Sequence, residues 1–103
     1  MSVTLGVQWA DGRYECRSGV GQYTARCWAS EAKSIGLKML SQIDMNGWPQ
    51  FGPDQLEALI GEFLQLKTHL EAKDLGGYAE GIDRIVSDLS QLRGQYGWEG
   101  DFG

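Results

Sequence analysis

Hydrophobic and polar residues alternate along the beginning of the chain. The apolar positions of this stretch are Val3, Leu5, Val7 and Trp9. A period of two residues is typical of a strand with one buried face. Asp11-Gly12 follows, and this dipeptide supplies the positive φ values of a tight hairpin turn. Because residues 13–18 alternate again, the pattern predicts a β-hairpin formed by residues 3–10 and 13–18.

The second half of the chain has the three- and four-residue apolar spacing of two amphipathic helices. Pro53 suits the first position of a helix, and the pattern predicts this helix over residues 53–72. Its apolar stripe is Leu56, Leu59, Ile60, Phe63, Leu64 and Leu70. A helix over residues 78–95 is predicted by a second stripe, which consists of Tyr78, Ile82, Ile85, Val86, Leu89 and Leu92. The short loop between them favours an antiparallel helix pair.

The remaining segments are less regular. Residues 19–24 are rich in glycine and are predicted to form a loop, and Ser30 is the expected N-cap of a short helix that Gly36 ends. Residues 37–44 alternate imperfectly and are predicted to form a third strand, while residues 96–103 form a glycine-rich tail with aromatic and acidic side chains. Together these elements predict a single α+β domain, in which a small antiparallel sheet packs against the helix pair.

The charge of the chain is unevenly distributed. Residues 1–53 contain five basic and four acidic side chains, a net charge of +1, whereas residues 54–103 contain four and ten, a net charge of −6. Binding to the phosphate backbone of DNA or RNA requires a basic patch, and an anionic membrane surface repels acidic groups. The sequence therefore predicts no nucleic-acid partner and no membrane partner, and it favours a basic protein partner.

Few residues of the chain could support catalysis or metal binding. The nitrogen and sulfur ligands are His69, Cys16 and Cys27, and their spacing matches no zinc motif. A catalytic triad would have to use His69, and no G-x-S-x-G motif presents a serine nucleophile. We therefore expect that the protein is not an enzyme and that it has no catalytic residue, no metal and no cofactor.

The first residues and the two cysteines bear on the cellular compartment. Residues 1–5 have neither the basic nor the apolar region of a signal peptide. Cys16 and Cys27 are expected to be reduced, since a disulfide between them would need an oxidising compartment. The expected localisation is therefore cytoplasmic.

The four tryptophans are candidates for core or interface positions. Trp9 lies on the apolar face of the first predicted strand and is expected in the core, while the place of Trp28 stays open. Trp48 and Trp98 fall in predicted loops, where a tryptophan is either a lid over the core or an anchor for a partner. Acidic side chains around Trp48 would form a rim that meets a basic partner. The candidate partner-binding residues are Asp44, Trp48, Asp54, Glu57 and Trp98.

One segment resembles a known class of proteins. Ile43-Asp44-Met45-Asn46-Gly47, then Phe51, an acidic amphipathic helix and a second helix follow one another as in small bacterial immunity-like proteins, which are encoded beside polymorphic toxins. The resemblance covers residues 37–92 and implies a cytoplasmic antitoxin-type protein that occludes the active surface of a toxin. The alternative is a housekeeping accessory or regulatory subunit, which could be a homodimer, without an inhibitory role.

Overall fold

The computed structural model describes residues 2–42 and 50–102. Along these residues the strands and α-helices are β1 Ser2–Trp9, β2 Tyr14–Gly21, α1 Gln22–Ser34, α2 Leu56–Ala72, α3 Glu80–Ser90 and β3 Trp98–Phe102. Short 3-10 helices lie at Leu40–Gln42, Pro53–Gln55 and Gly76–Tyr78. A three-stranded antiparallel sheet and helices form a compact α+β globule, which confirms the predicted fold class.

The N-terminal hairpin forms as predicted. Gly12 has a φ of +95°, whereas Asp11 does not have the positive φ that the predicted turn requires, and the Trp9 N–H donates to the Arg13 carbonyl at 2.9 Å. Strand β2 continues through residues 19–21, so the prediction of a loop over residues 19–24 is wrong. The glycine at position 19 suits this strand because a Cβ there would lie only 3.0 Å from Thr4 Oγ1 on β1.

The third strand of the sheet is not the one that the sequence predicted. Within residues 37–42 the chain forms a turn and a 3-10 helix, and residues 43 and 44 lie outside the described residues. Leu37 and Leu40 are both buried, and a spacing of three residues suits this helix rather than a strand. The predicted tail instead supplies β3, which pairs with β1 from Leu5 opposite Phe102 to Trp9 opposite Trp98.

The helices agree in part with the predicted bounds. Ser30 lies inside α1 rather than at its N-cap, because the helix already begins at Gln22. Gly36, with a φ of +76°, ends this helix as predicted, and the Leu37 N–H donates to the Ala32 carbonyl at 2.9 Å. The prediction for α2 is confirmed, whereas α3 ends at Ser90 rather than at residue 95.

The core lies between the helices and one face of the sheet. Phe63 of α2 contacts Trp28 edge-on at a centroid distance of 5.7 Å, and its ring lies 6.1 Å from that of Phe102. The prediction that Leu64 belongs to the buried stripe is wrong, since Leu64 is 48% exposed and Leu66 is buried instead. Trp28, whose place the sequence left open, is a core residue.

Candidate functional site

The structure separates the predicted binding residues into three groups. Asp44 and Trp48 lie outside the described residues. Asp54 and Glu57 are exposed and lie together where α2 begins. Trp98 is only 3% exposed, and its indole N–H donates to the Gln95 carbonyl at 2.9 Å. Trp98 therefore has no surface with which to anchor a partner in this structure, in keeping with a role in the core.

The start of α2 is held in place by the C-terminal strand. The Phe51 N–H donates to the Gly100 carbonyl at 2.9 Å, and the Gly100 N–H donates to the Phe51 carbonyl at 2.8 Å. A Cβ at position 100 would collide with the outer end of the Phe51 ring, so glycine is needed for the ring to approach β3 this closely. Pro53 then opens the 3-10 helix that leads into α2. This anchoring sets the positions of Asp54 and Glu57.

A shallow groove lies beside the Glu57 carboxylate. We call this region the α2 N-terminal surface and define it by Pro53, Asp54, Glu57, Arg93 and Tyr96. The groove has a volume of about 240 Å³, and buried Leu56 and Leu92 are among the residues that line it. Tyr96 is 78% exposed, which leaves most of its ring available for contact. Sequence reasoning missed Tyr96 and Arg93, although a tyrosine between glycines at positions 94 and 97 is a pattern typical of an exposed turn.

Charges on the α2 N-terminal surface are partly compensated. The Arg93 guanidinium donates to both Glu57 carboxylate oxygens, from Nε at 2.5 Å and from Nη2 at 3.1 Å. This bidentate pair lowers the pKa of Glu57 and raises that of Arg93, so both groups are charged at neutral pH. Asp54 forms no ion pair with another described residue, and it therefore contributes the uncompensated negative charge of this surface.

A second, more apolar groove lies between α1 and α2. We call it the α1–α2 groove; it has a volume of about 510 Å³ and is lined by Ile35, Leu64, Gln65, Thr68, His69 and Ala72. Two of these side chains are large and aliphatic, with Ile35 38% and Leu64 48% exposed. Sequence reasoning missed this groove because the helical spacing assigned Leu64 to the core.

Ionisable side chains meet at one end of the α1–α2 groove. Glu31 Oε1 lies 2.6 Å from Lys73 Nζ and 3.5 Å from His69 Nε2. Neither Glu31 Oε1 nor His69 Nε2 has a well-aligned hydrogen-bond partner among the described residues, so the short ion pair between Lys73 and Glu31 is the main contact of this cluster. The Lys73 ammonium group, followed by His69, keeps the pKa of Glu31 below its ordinary value. The cluster therefore links α1 to the last turn of α2.

The described thiols differ in their surroundings. Cys16 is exposed on β2, whereas Cys27 is half-buried on α1, and both are free. Burial, followed by the nearby Glu31 carboxylate, raises the pKa of Cys27, so its thiol is protonated and weakly nucleophilic at neutral pH. Within residues 2–42 and 50–102 no three His, Cys, Asp or Glu side chains are arranged to hold a metal ion. The described surface instead carries exposed tyrosine and aliphatic side chains together with acidic groups.

Comparison with known proteins gives no further guide to function. No family model, curated protein or solved structure matches this chain. The resemblance to immunity-like proteins therefore stays a prediction. None of the helices in the described part of the chain is long and apolar enough to cross a membrane.

Proposed function

We propose that this chain is a small acidic inhibitor that binds another protein, such as a toxin or other effector, and occludes its active surface. The observation that carries the proposal is the α2 N-terminal surface, where a largely exposed Tyr96 lines a groove together with Pro53 and Glu57, and where Asp54, which follows Pro53, is uncompensated. Tyrosine is enriched among the residues that dominate binding energy, because its ring buries much area at little entropic cost. In this proposal Tyr96 is the anchor of the interface.

Two further candidate interface residues precede this surface in the sequence. Asp44 and Trp48 precede Asp54 on the connection that enters α2. In this proposal they extend the acidic rim and supply a second aromatic anchor. A rim of carboxylates speeds the approach of a basic partner, and its effect fades when salt screens the charges.

The proposed inhibitor acts in the cytoplasm and without a cofactor or a catalytic step. The protonated state of the half-buried Cys27 thiol supports a role other than nucleophilic catalysis. The net charge of −6 over residues 54–103 supports a protein partner rather than a nucleic acid or an anionic membrane.

Kinetics with a purified partner test the proposal. The partner to purify first is the basic protein encoded by a neighbouring gene, if one is present. We expect Tyr96→Ala and Trp48→Ala each to raise the dissociation rate about 30-fold, equivalent to about 2 kcal/mol for an interface anchor. Asp54→Lys should mainly slow association, more strongly at low salt than at high salt.

A matched control separates the interface from general charge effects. Glu80→Lys makes the same charge change at an exposed site where α3 begins, outside the α2 N-terminal surface. It should leave the dissociation rate unchanged and slow association less than Asp54→Lys does. Equal melting temperatures would confirm that each variant is folded. If Tyr96→Ala and Asp54→Lys both bind like the unaltered protein, the α2 N-terminal surface is not the interface.

The α1–α2 groove favours a second candidate function, that of a self-associating accessory subunit. Exposed Ile35 and Leu64 would gain from burial against a second copy of the chain. Sedimentation over a range of concentrations tests this candidate. A dimer that Leu64→Glu converts to a monomer would support it, whereas a monomer at all concentrations would exclude it.

A further inference from the structure

One face of the sheet carries no buried apolar side chain among the described residues. The strand register places Cys16, Gly6 and Asp101 side by side across β2, β1 and β3. The next row across the same strands is Tyr14, Gln8 and Glu99. We call these two rows the outer sheet face; Tyr14, Gln8, Cys16 and Glu99 are exposed. No described helix therefore covers these rows.

An aromatic ring and a carboxylate meet at the centre of the outer sheet face. A Cβ at Gly6 would lie 2.8 Å from Asp101 Oδ1 and closer still to Tyr14 Oη, so both groups converge above the central strand. Tyr14 is 58% exposed, which leaves much of its ring open to solvent. A hydrogen bond with Cys16, together with the charge of Asp101, raises the pKa of Tyr14.

The two rows of the outer sheet face contain two acidic side chains and no basic side chain. Glu99 and Asp101 both project from it, and neither forms an ion pair with a described residue. Of the basic side chains adjacent to these rows in sequence, Arg17 pairs with Glu15 at 2.7 Å, and Arg13 lies 2.8 Å from Asp11 and 5.1 Å from the centroid of the Trp9 ring. Trp9 belongs to the opposite face of β1, so the Arg13 guanidinium does not neutralise the two rows.

We propose that the outer sheet face docks a basic segment of a protein partner, with an arginine or lysine side chain stacked on Tyr14 and paired with Glu99 and Asp101. A flat aromatic surface beside carboxylates suits a guanidinium, which stacks and donates several hydrogen bonds at once. The same charges repel nucleic acid and anionic membranes. The inference shares with the proposed function only the basic character of the partner, because it uses a separate surface.

A short basic peptide tests whether this face binds cationic side chains. The probe is the capped peptide acetyl-Thr-Arg-Thr-Arg-Thr-Arg-amide, added to isotope-labelled full-length protein at low ionic strength. We expect amide chemical shifts to change most at residues 4–8, 14–16 and 98–102, and the changes to shrink as salt is added. Shifts that spread evenly over all acidic regions, or that centre on residues 71–80, would overturn the proposal.

Charge-matched variants give the second arm of the test. Glu99→Gln with Asp101→Asn should weaken peptide binding about 5-fold, while Glu71→Gln with Glu80→Gln, which removes the same charge, should change it less than about 2-fold. Tyr14→Leu should weaken binding about 3-fold while both carboxylates remain. Equal losses in the two double variants would contradict a defined site.

Failure of this inference is distinguishable from failure of the proposed function. Asp54→Lys alters the α2 N-terminal surface and should leave the amide shift changes at the outer sheet face in place. If the peptide binds there but Tyr96→Ala and Asp54→Lys do not affect the protein partner, only the proposed inhibitory interface is wrong. If the partner kinetics respond and the peptide does not bind, only the docking face is wrong.

Discussion

Replacing Phe102 with alanine tests the largest difference between the predicted and the observed fold. Phe102 lies in β3, and its ring is 6.1 Å from each of the rings of Phe51 and Phe63. Its side chain is almost completely buried. Deleting such a ring removes the transfer free energy of its atoms and leaves a cavity that neighbouring side chains fill only in part. Phe102→Ala should therefore destabilise the whole domain.

The expected loss is large compared with the total stability. A buried phenylalanine replaced with alanine costs about 3–5 kcal/mol, whereas domains of this size are stable by about 5–15 kcal/mol. A loss of about 4 kcal/mol lowers the melting temperature by roughly 15–30 °C. Urea unfolding followed by tryptophan fluorescence and circular dichroism measures the change, and an unchanged slope would show that both proteins unfold from equally compact states.

Tyr96→Ala is the matched control, because it removes an aromatic ring from the same predicted tail at an exposed position. Its free energy of unfolding should change by no more than about 0.5 kcal/mol. The control also shows that an effect of this variant on partner binding is not caused by unfolding. If Phe102→Ala and Tyr96→Ala unfold at the same urea concentration, residues 98–102 do not form part of the core and the structure described for them is wrong.

Three further predictions follow from close contacts, charges and thiols. Gly100→Ala should cost about 1–3 kcal/mol in urea unfolding because its Cβ would strike a buried aromatic ring, whereas Gly77→Ala, which points into open space, should cost much less. Glu31 has a lowered pKa in the folded state, so its contribution to stability is present above its ordinary pKa of 4.5 and is lost as pH falls through the lower folded value. Glu31→Gln should therefore make the melting temperature fall less steeply over this acidic pH range. An unchanged dependence of the melting temperature on pH would contradict the ion pair. A thiol reagent added without reductant should modify Cys16 rapidly and Cys27 slowly in the folded protein, and it should modify both after unfolding. If the intact protein before treatment has a mass lower than that of the reduced chain by two protons, the cysteines instead form a disulfide.

Elements stabilised by contacts between near neighbours could be predicted from the sequence. The turn at Asp11-Gly12 needs one positive φ, which Gly12 adopts without strain, and the same property makes Gly36 the end of α1. The apolar spacing of α2 reflects hydrogen bonds between residues four positions apart. In each case the physical cause lies within a few residues of its effect.

The sequence predicted only the part of the candidate site whose residues are close together in the chain. Asp54 and Glu57 are neighbours on one helical turn, so their proximity follows from the sequence. Arg93 and Tyr96 join them because the segment after α3 lies against the start of α2. No pattern in the chain indicates this contact, since it depends on how two distant segments pack.

Tertiary structure alone decided the identity of the third strand and the exposure of Leu64. Residues 98–102 contain two charged side chains and a glycine, a weak strand pattern, yet they pair with the free edge of β1 and place Trp98 and Phe102 in the core. Leu64 has a spacing that fits a buried stripe, but it lies on a side of α2 that the other described helices and strands leave partly exposed. Apolar spacing specifies which face a residue occupies on its own helix or strand. Whether that face is buried depends on long-range packing, which brings together residues that are far apart in the chain.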